Sequence, residues 1–248
     1  MPIPMADNLA PLSTEQWLTI DEPQNFTLLL QDWARIDRTD ERLRVSNLTF
    51  HPSTEAESGL VTQIAMFQSI TSLSITGIYS VPGCWDALTQ FRHLDALSIV
   101  DCRIDVPLGA ERRTVLSRPT KIEMFDTLFT NLDSLPPSFF SSVRELDIIA
   151  EELENLGPVA VGTLRLCPNI FIFRMKSLSD TFDIPIPKLI APHLSEFRGA
   201  LGLLQACLGS SPALYSVLID DDMDGPEAWS LLLALDAQAL TELHIDIS

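Results

Sequence analysis

The stretch that decides the fold is Phe91-Arg92-His93-Leu94-Asp95-Ala96-Leu97-Ser98-Ile99-Val100-Asp101-Cys102-Arg103-Ile104-Asp105. Leu94, Leu97, Ile99, Cys102 and Ile104 give the spacing L-x-x-L-x-L-x-x-C-x-I. Leu97 and Ile99 alternate with Ser98 and Val100, the period of two expected of a strand with one buried face. The spacing recurs at Val45/Leu48/Phe50, Ile70/Leu73/Ile75, Val143/Leu146/Ile148, Ile170/Phe173/Met175, Leu214/Val217/Ile219 and Leu240/Leu243/Ile245. Two instances are degenerate: Ile122 and Met124 follow Pro119, and Leu194 and Phe197 lead to Gly199. The second anchor falls at 48, 73, 97, 122, 146, 173, 197, 217 and 243, in steps of 25, 24, 25, 24, 27, 24, 20 and 26. Nine instances at a nearly constant step are an internal repeat. An earlier unit through Leu18 and Ile20 would extend it.

A single unit cannot bury its apolar face alone, so the units must stack, with their short strands forming one parallel sheet. The spacing is that of the leucine-rich repeat. The expected fold is therefore α/β: a leucine-rich-repeat solenoid with a parallel sheet on the concave face and helices and irregular returns on the convex face. Residues 25–248 read as one solenoid of about nine units, and residues 1–24 as an N-terminal segment with room for a partial first repeat. Helical spacing of apolar residues predicts helices over 25–36, 56–67 and 226–237. Pro136-Pro137 predicts an extended or turn return over 128–140, and three prolines predict an irregular one over 184–192.

Composition narrows the function. The chain has 248 residues, 46% of them apolar and 20% charged, which is ordinary globular usage. Sixteen Lys and Arg against 34 Asp and Glu leave a formal charge of −18, which argues against nucleic acid and against anionic membrane surfaces. No apolar run approaches the roughly 18 residues of a membrane span. Met1 to Pro11 lacks the basic region and apolar core of a secretory signal. Cys84, Cys102, Cys167 and Cys207 are widely spread and read as reduced, buried thiols, which suits a cytoplasmic or nuclear protein.

The units resemble the repeats of F-box proteins, specifically the divergent sets of mushroom-forming fungi. Cys102 at the Asn/Cys position, the irregular step and the proline-containing returns carry the likeness. So do Asp32-Trp33-Ala34-Arg35, Arg42-Leu43-Arg44-Val45 and Ala191-Pro192-His193-Leu194-Ser195-Glu196-Phe197-Arg198-Gly199. The resemblance covers residues 25–248 and implies the substrate-recognition arm of a ubiquitin ligase. Residues 1–24 are too short for an F-box of about forty residues, so a cullin adaptor is implied as a partner only if an F-box lies outside this chain.

Chemistry is sparse. Asp220, Asp222, Asp224 and Gly225 match the start of a calcium loop, but Leu231 stands where a bidentate Glu is required. This stretch reads as an acidic turn at the start of the helix from Pro226. His51, His93, His193 and His244 have no partner at ligand spacing, so no metal site is expected. No nucleophile elbow, phosphate loop or dinucleotide fingerprint occurs, so no cofactor and no catalysis are expected.

The informative surface is the concave face. Val100, Phe125 and Ile149 should form an apolar ladder on adjacent strands, with Ile172 nearby in the preceding column. Glu123 and Asp147, with Glu145 beside them but outside the candidate set, flank it on one side and Arg174, Lys176 and Arg198 on the other. These nine residues are the candidate partner-binding set, since an apolar centre with a charged rim suits protein recognition. No Lys or Arg follows Arg198 while eight acids do, making a negative C-terminal lobe that would suit a basic partner. The last strand, Leu243–Ile247, would present an open sheet edge. The expected function is non-catalytic protein recognition. A stand-alone scaffold unrelated to ubiquitin, and a GTPase regulator, remain open at this point.

Overall fold

The computed structural model describes residues 17–20, 32, 35, 45–51, 59–67, 69–131, 134–150, 156–177, 188–208, 211, 214–223, 226, 229–230, 233, 235 and 240–247. Twelve strands are present among them: β1 Trp17–Ile20, β2 Asn47–Phe50, β3 Ser72–Thr76, β4 Ala96–Val100, β5 Arg103–Asp105, β6 Lys121–Phe125, β7 Leu128–Thr130, β8 Glu145–Ala150, β9 Ile172–Ser177, β10 Glu196–Gly199, β11 Ser216–Met223 and β12 Glu242–Ile247. Ten build one parallel sheet in the order β1-β2-β3-β4-β6-β8-β9-β10-β11-β12. Each strand thus pairs with the next in chain order, β5 and β7 excepted. Those two form a second, shorter parallel ladder.

Alternation decides which face is buried. Leu97 and Ile99 of β4, Ile122 and Met124 of β6, Leu146 and Ile148 of β8, and Phe173 and Met175 of β9 are all buried. The intervening residues are half-buried or exposed. The register is in phase from β2 to β9: Leu48, Leu73, Leu97, Ile122, Leu146 and Phe173 are successive Cα partners. Pro119 therefore does not shift the degenerate unit around Ile122. β1 continues the pattern, with Leu18 opposite Leu48 and Ile20 opposite Phe50. At the other degenerate unit, Gly199 has φ +149° and a Cβ there would meet the Met175 Cβ at 3.2 Å. Glycine is what lets β10 lie against β9.

The returns differ from the sequence expectation in several places. Over 56–67 the described part is a 3-10 helix, Gly59–Met66, rather than an α-helix. Val61, Thr62 and Ile64 are β-branched and disfavour the α form. The 128–140 return is extended and turned as expected, holding β7 and a single helical turn, α2 Pro137–Phe140. Pro137 occupies the first turn, where its missing N–H costs nothing. Three α-helices were not expected, α1 Cys84–Leu88, α3 Leu156–Arg165 and α4 Leu201–Leu208, nor was the 3-10 turn Ala110–Arg112. Gly157, Pro158 and Gly162 masked α3, and Gly202 masked α4; burial of Val159, Ala160 and Leu164, and of Leu203, Leu204 and Cys207, overrides those weak formers.

Asp220 to Met223 is a correction. The stretch continues β11 instead of forming a turn, and the register to β12 slips between Ile219 and Met223. Met223 pairs with Ile247 beyond the slip, which carries the strand through the aspartates. Of the two remaining expected helices, Asp32 and Arg35 are helical and exposed, as are Pro226, Trp229, Ser230 and Leu233; the other residues of 25–36, and most of 226–237, lie outside the described residues. Trp229 and Leu233 are 62% and 72% exposed, so the face they share is not a core face. In the 184–192 return, Lys188 to Pro192 has no regular structure, and 184–187 lie outside the described residues.

Backbone bonds tie the units at both strand ends. The residue before each strand donates to its counterpart one unit back, as Asp95 N–H to Thr71 O (2.7 Å) and Phe171 N–H to Arg144 O (2.8 Å). Just past the strands, Gly77, Asp101 and Asp126 have φ of 69°, 49° and 43° and donate to Val100 O, Phe125 O and Ile149 O at 2.8–3.0 Å. Cys102 sits two residues past Val100 and accepts from Ile78 N–H at 3.3 Å. Thr127 holds the same place in the next unit and donates to Ile99 O at 3.0 Å. Trp85 of α1 packs against Phe139 of α2 (centroids 5.1 Å) and Phe129 of β7 (6.1 Å), closing the core behind the sheet.

Candidate recognition site

The register builds the site directly. Val100 pairs with Phe125, Phe125 with Ile149, and Ile149 with Lys176. One column toward the strand starts, Ser98, Glu123, Asp147, Arg174 and Arg198 are successive partners. Both columns face away from the core. The sharp turns at Asp101 and Asp126 follow the ladder residues at once, so Val100 and Phe125 sit at the very ends of their strands.

These residues line a depression of about 510 Å³. Val100 and Phe125 are half-buried and Ile149 is 36% exposed. Glu123, Asp147, Arg174, Lys176 and Arg198 complete the polar lining. Eight of the nine residues singled out from sequence therefore come together. Ile172 does not: it lies in the column of Glu145 and Glu196, outside the depression.

The charges are arranged differently from the simple rim expected. Arg174 is not an open basic flank. Its guanidinium contacts Glu145 (2.8 Å), Asp147 (3.3 Å) and Glu196 (2.9 Å), drawing carboxylates from the two flanking strands, β8 and β10, onto one cation. Lys121, which sequence reasoning passed over, bonds Glu123 (2.9 Å) and Glu145 (3.2 Å). Lys121 is two columns from the ladder, opposite Glu145, and pairing each charge with its neighbours on adjacent strands would have found it. Lys176 is exposed at the end of the ladder.

Burial pushes the Asp147 carboxyl above the usual aspartate range, with Arg174 opposing only in part. Burial also acts to raise Glu145, but hydrogen bonds from Arg174 and Lys121 outweigh it and hold that carboxyl low. The hydrogen bond to Glu123 raises the Lys121 ammonium. Burial works against the Arg174 cation, but its bonds to Glu145 and Glu196 prevail and raise it further. The network binds charge to charge and leaves the apolar floor as the uncommitted surface.

Comparison with family models, with curated proteins and with solved structures finds no match to this chain. The site must be argued from its own residues.

His193 stacks on Phe171 (5.6 Å, 16°), and the Arg144 guanidinium lies 5.9 Å from the same ring. Phe171 is 41% exposed and was missed because it precedes its strand. All four cysteines are buried and none is in a disulfide. Among the described residues, no group of three or more His, Cys, Asp or Glu side chains could hold a metal, and no helix is long and apolar enough to cross a membrane. The Asp220–Asp224 side chains lie outside the described residues.

Proposed function

We propose that the chain is a leucine-rich-repeat solenoid whose concave face recognises a protein partner without catalysis. The observation that carries the proposal is the ladder of Val100, Phe125 and Ile149, left partly open at the floor of a charged depression. Burying such a floor against a partner releases water from apolar surface, while the polar rim fixes orientation. The repeat reading is supported by the constant step and by the chain-order parallel sheet. Its likeness to the fungal F-box repeats favours the substrate-recognition arm of a ubiquitin ligase, working in the cytoplasm or nucleus.

The test is a tagged pull-down from extract of the native organism, with Phe125→Asp alongside. The ligase reading expects the cullin adaptor with both forms and one further protein lost from the variant. Loss of a partner without any adaptor would leave a stand-alone recognition module. If no protein depends on Phe125, concave-face recognition is wrong.

A further inference from the structure

We infer that the segment recognised on this face is an extended peptide that sets a carboxylate beside bulky apolar side chains. The inference rests on the recognition reading above and specifies its ligand. It follows from the order of groups along the ladder. Val100, Phe125, Ile149 and Lys176 are neighbours on four adjacent strands. At about 4.8 Å per strand they span roughly 14 Å, which about four residues of extended chain would cross. A ligand lying along them meets three apolar side chains and then an exposed ammonium.

The carboxylates of the depression make no demand for a cationic ligand. Glu123 is bonded to Lys121 at 2.9 Å and Asp147 to Arg174 at 3.3 Å. The cations are differently placed. Lys176 ends the apolar column, and Arg198 lies diagonally across from it on β10, beyond Arg174. Arg174 is already held by Glu145, Asp147 and Glu196, whereas Lys176 is exposed, in a chain whose formal charge is −18. The exposed Lys176 ammonium adjoins the apolar floor. A basic segment drawn by the net charge would be repelled there. A wholly apolar segment would leave Lys176 to be desolvated without a partner, which is costly.

The experiment pans a displayed library of short random peptides over the full chain, in parallel with Phe125→Asp and Lys176→Glu. Circular dichroism melts of all three forms confirm folding. Wild type should enrich peptides with Asp or Glu within three positions of Leu, Ile, Met or Phe. A synthetic peptide from that set should lose roughly tenfold in affinity on Lys176→Glu and weaken in high salt. Phe125→Asp should enrich nothing. Enrichment of Lys- or Arg-rich peptides, of apolar peptides without acids, or of nothing at all, overturns the inference. If the pull-down still shows a Phe125-dependent partner in that case, recognition stands and only the peptide chemistry is wrong. If it shows none, both fail.

Discussion

Replacing Arg174 with methionine tests what holds the open face together. The methionine keeps most of the stem and removes the charge. In the native protein one guanidinium joins Glu145, Asp147 and Glu196 across three strands at 2.8–3.3 Å. The Arg174 side chain is 35% exposed, so solvent screens these pairs and each is worth about 0.2–1 kcal/mol. Three such pairs suggest a loss of about 1–3 kcal/mol at pH 7. Much of it should come from Asp147, whose side chain is only 17% exposed and would lose its principal cation. The sign with pH follows from the two carboxyls. Glu145 is held low, so its contribution is present above its unfolded pKa and vanishes as pH falls through the folded value. Asp147 is raised by burial, so its charged form already costs stability as pH climbs, and losing Arg174 enlarges that cost. The deficit of Arg174→Met should therefore be largest near neutral pH and shrink toward about pH 3 as the carboxyls take up protons. Urea titration, which adds no salt, measures it at each pH. Adding Asp147→Asn to the variant should restore about 1 kcal/mol at pH 7. An equal loss at both pH values would refute the electrostatic argument and assign the effect to packing of the arginine stem.

Four further outcomes follow from burial and backbone geometry. Leu97→Ala, at a site 2% exposed, should cost about 2–5 kcal/mol by urea unfolding, and a negligible loss would undermine the repeat assignment. Phe125→Asp should cost less than about 1 kcal/mol and barely move the thermal midpoint, because the side chain faces away from the core; a core-sized loss would contradict the register. Burial pushes the Cys84 and Cys207 thiols up to about 12 and Cys102 to about 11, so a thiol reagent at pH 8 should label none of the four cysteines of the native chain and all of them in urea. Gly199→Ala should destabilise by about 1–3 kcal/mol through its φ of +149° and the Met175 contact, and a neutral result would mean that β10 can shift away from β9.

The sequence by itself determined the strands of the main sheet, their face and their phase, but not the second ladder of β5 and β7. Period-two alternation at a fixed step admits one stacking, and a slip by a single residue would expose Leu97, Ile122 and Leu146 together. That is why eight of the nine proposed site residues meet, even across the degenerate unit after Pro119. The returns were less legible, since α3 and α4 contain glycines or a proline whose propensity is overruled by burial against the sheet. Asp220 to Met223 was mistaken for a turn because an aspartate run carries no sign of the strand it pairs with. Only the tertiary structure decided which charges are spent. Nothing local to Arg174 shows that Glu145 and Glu196, 29 and 22 residues away in sequence, close on it. Side-chain direction across neighbouring strands sets those pairs, and it leaves the ladder and Lys176 as the surface a partner would meet.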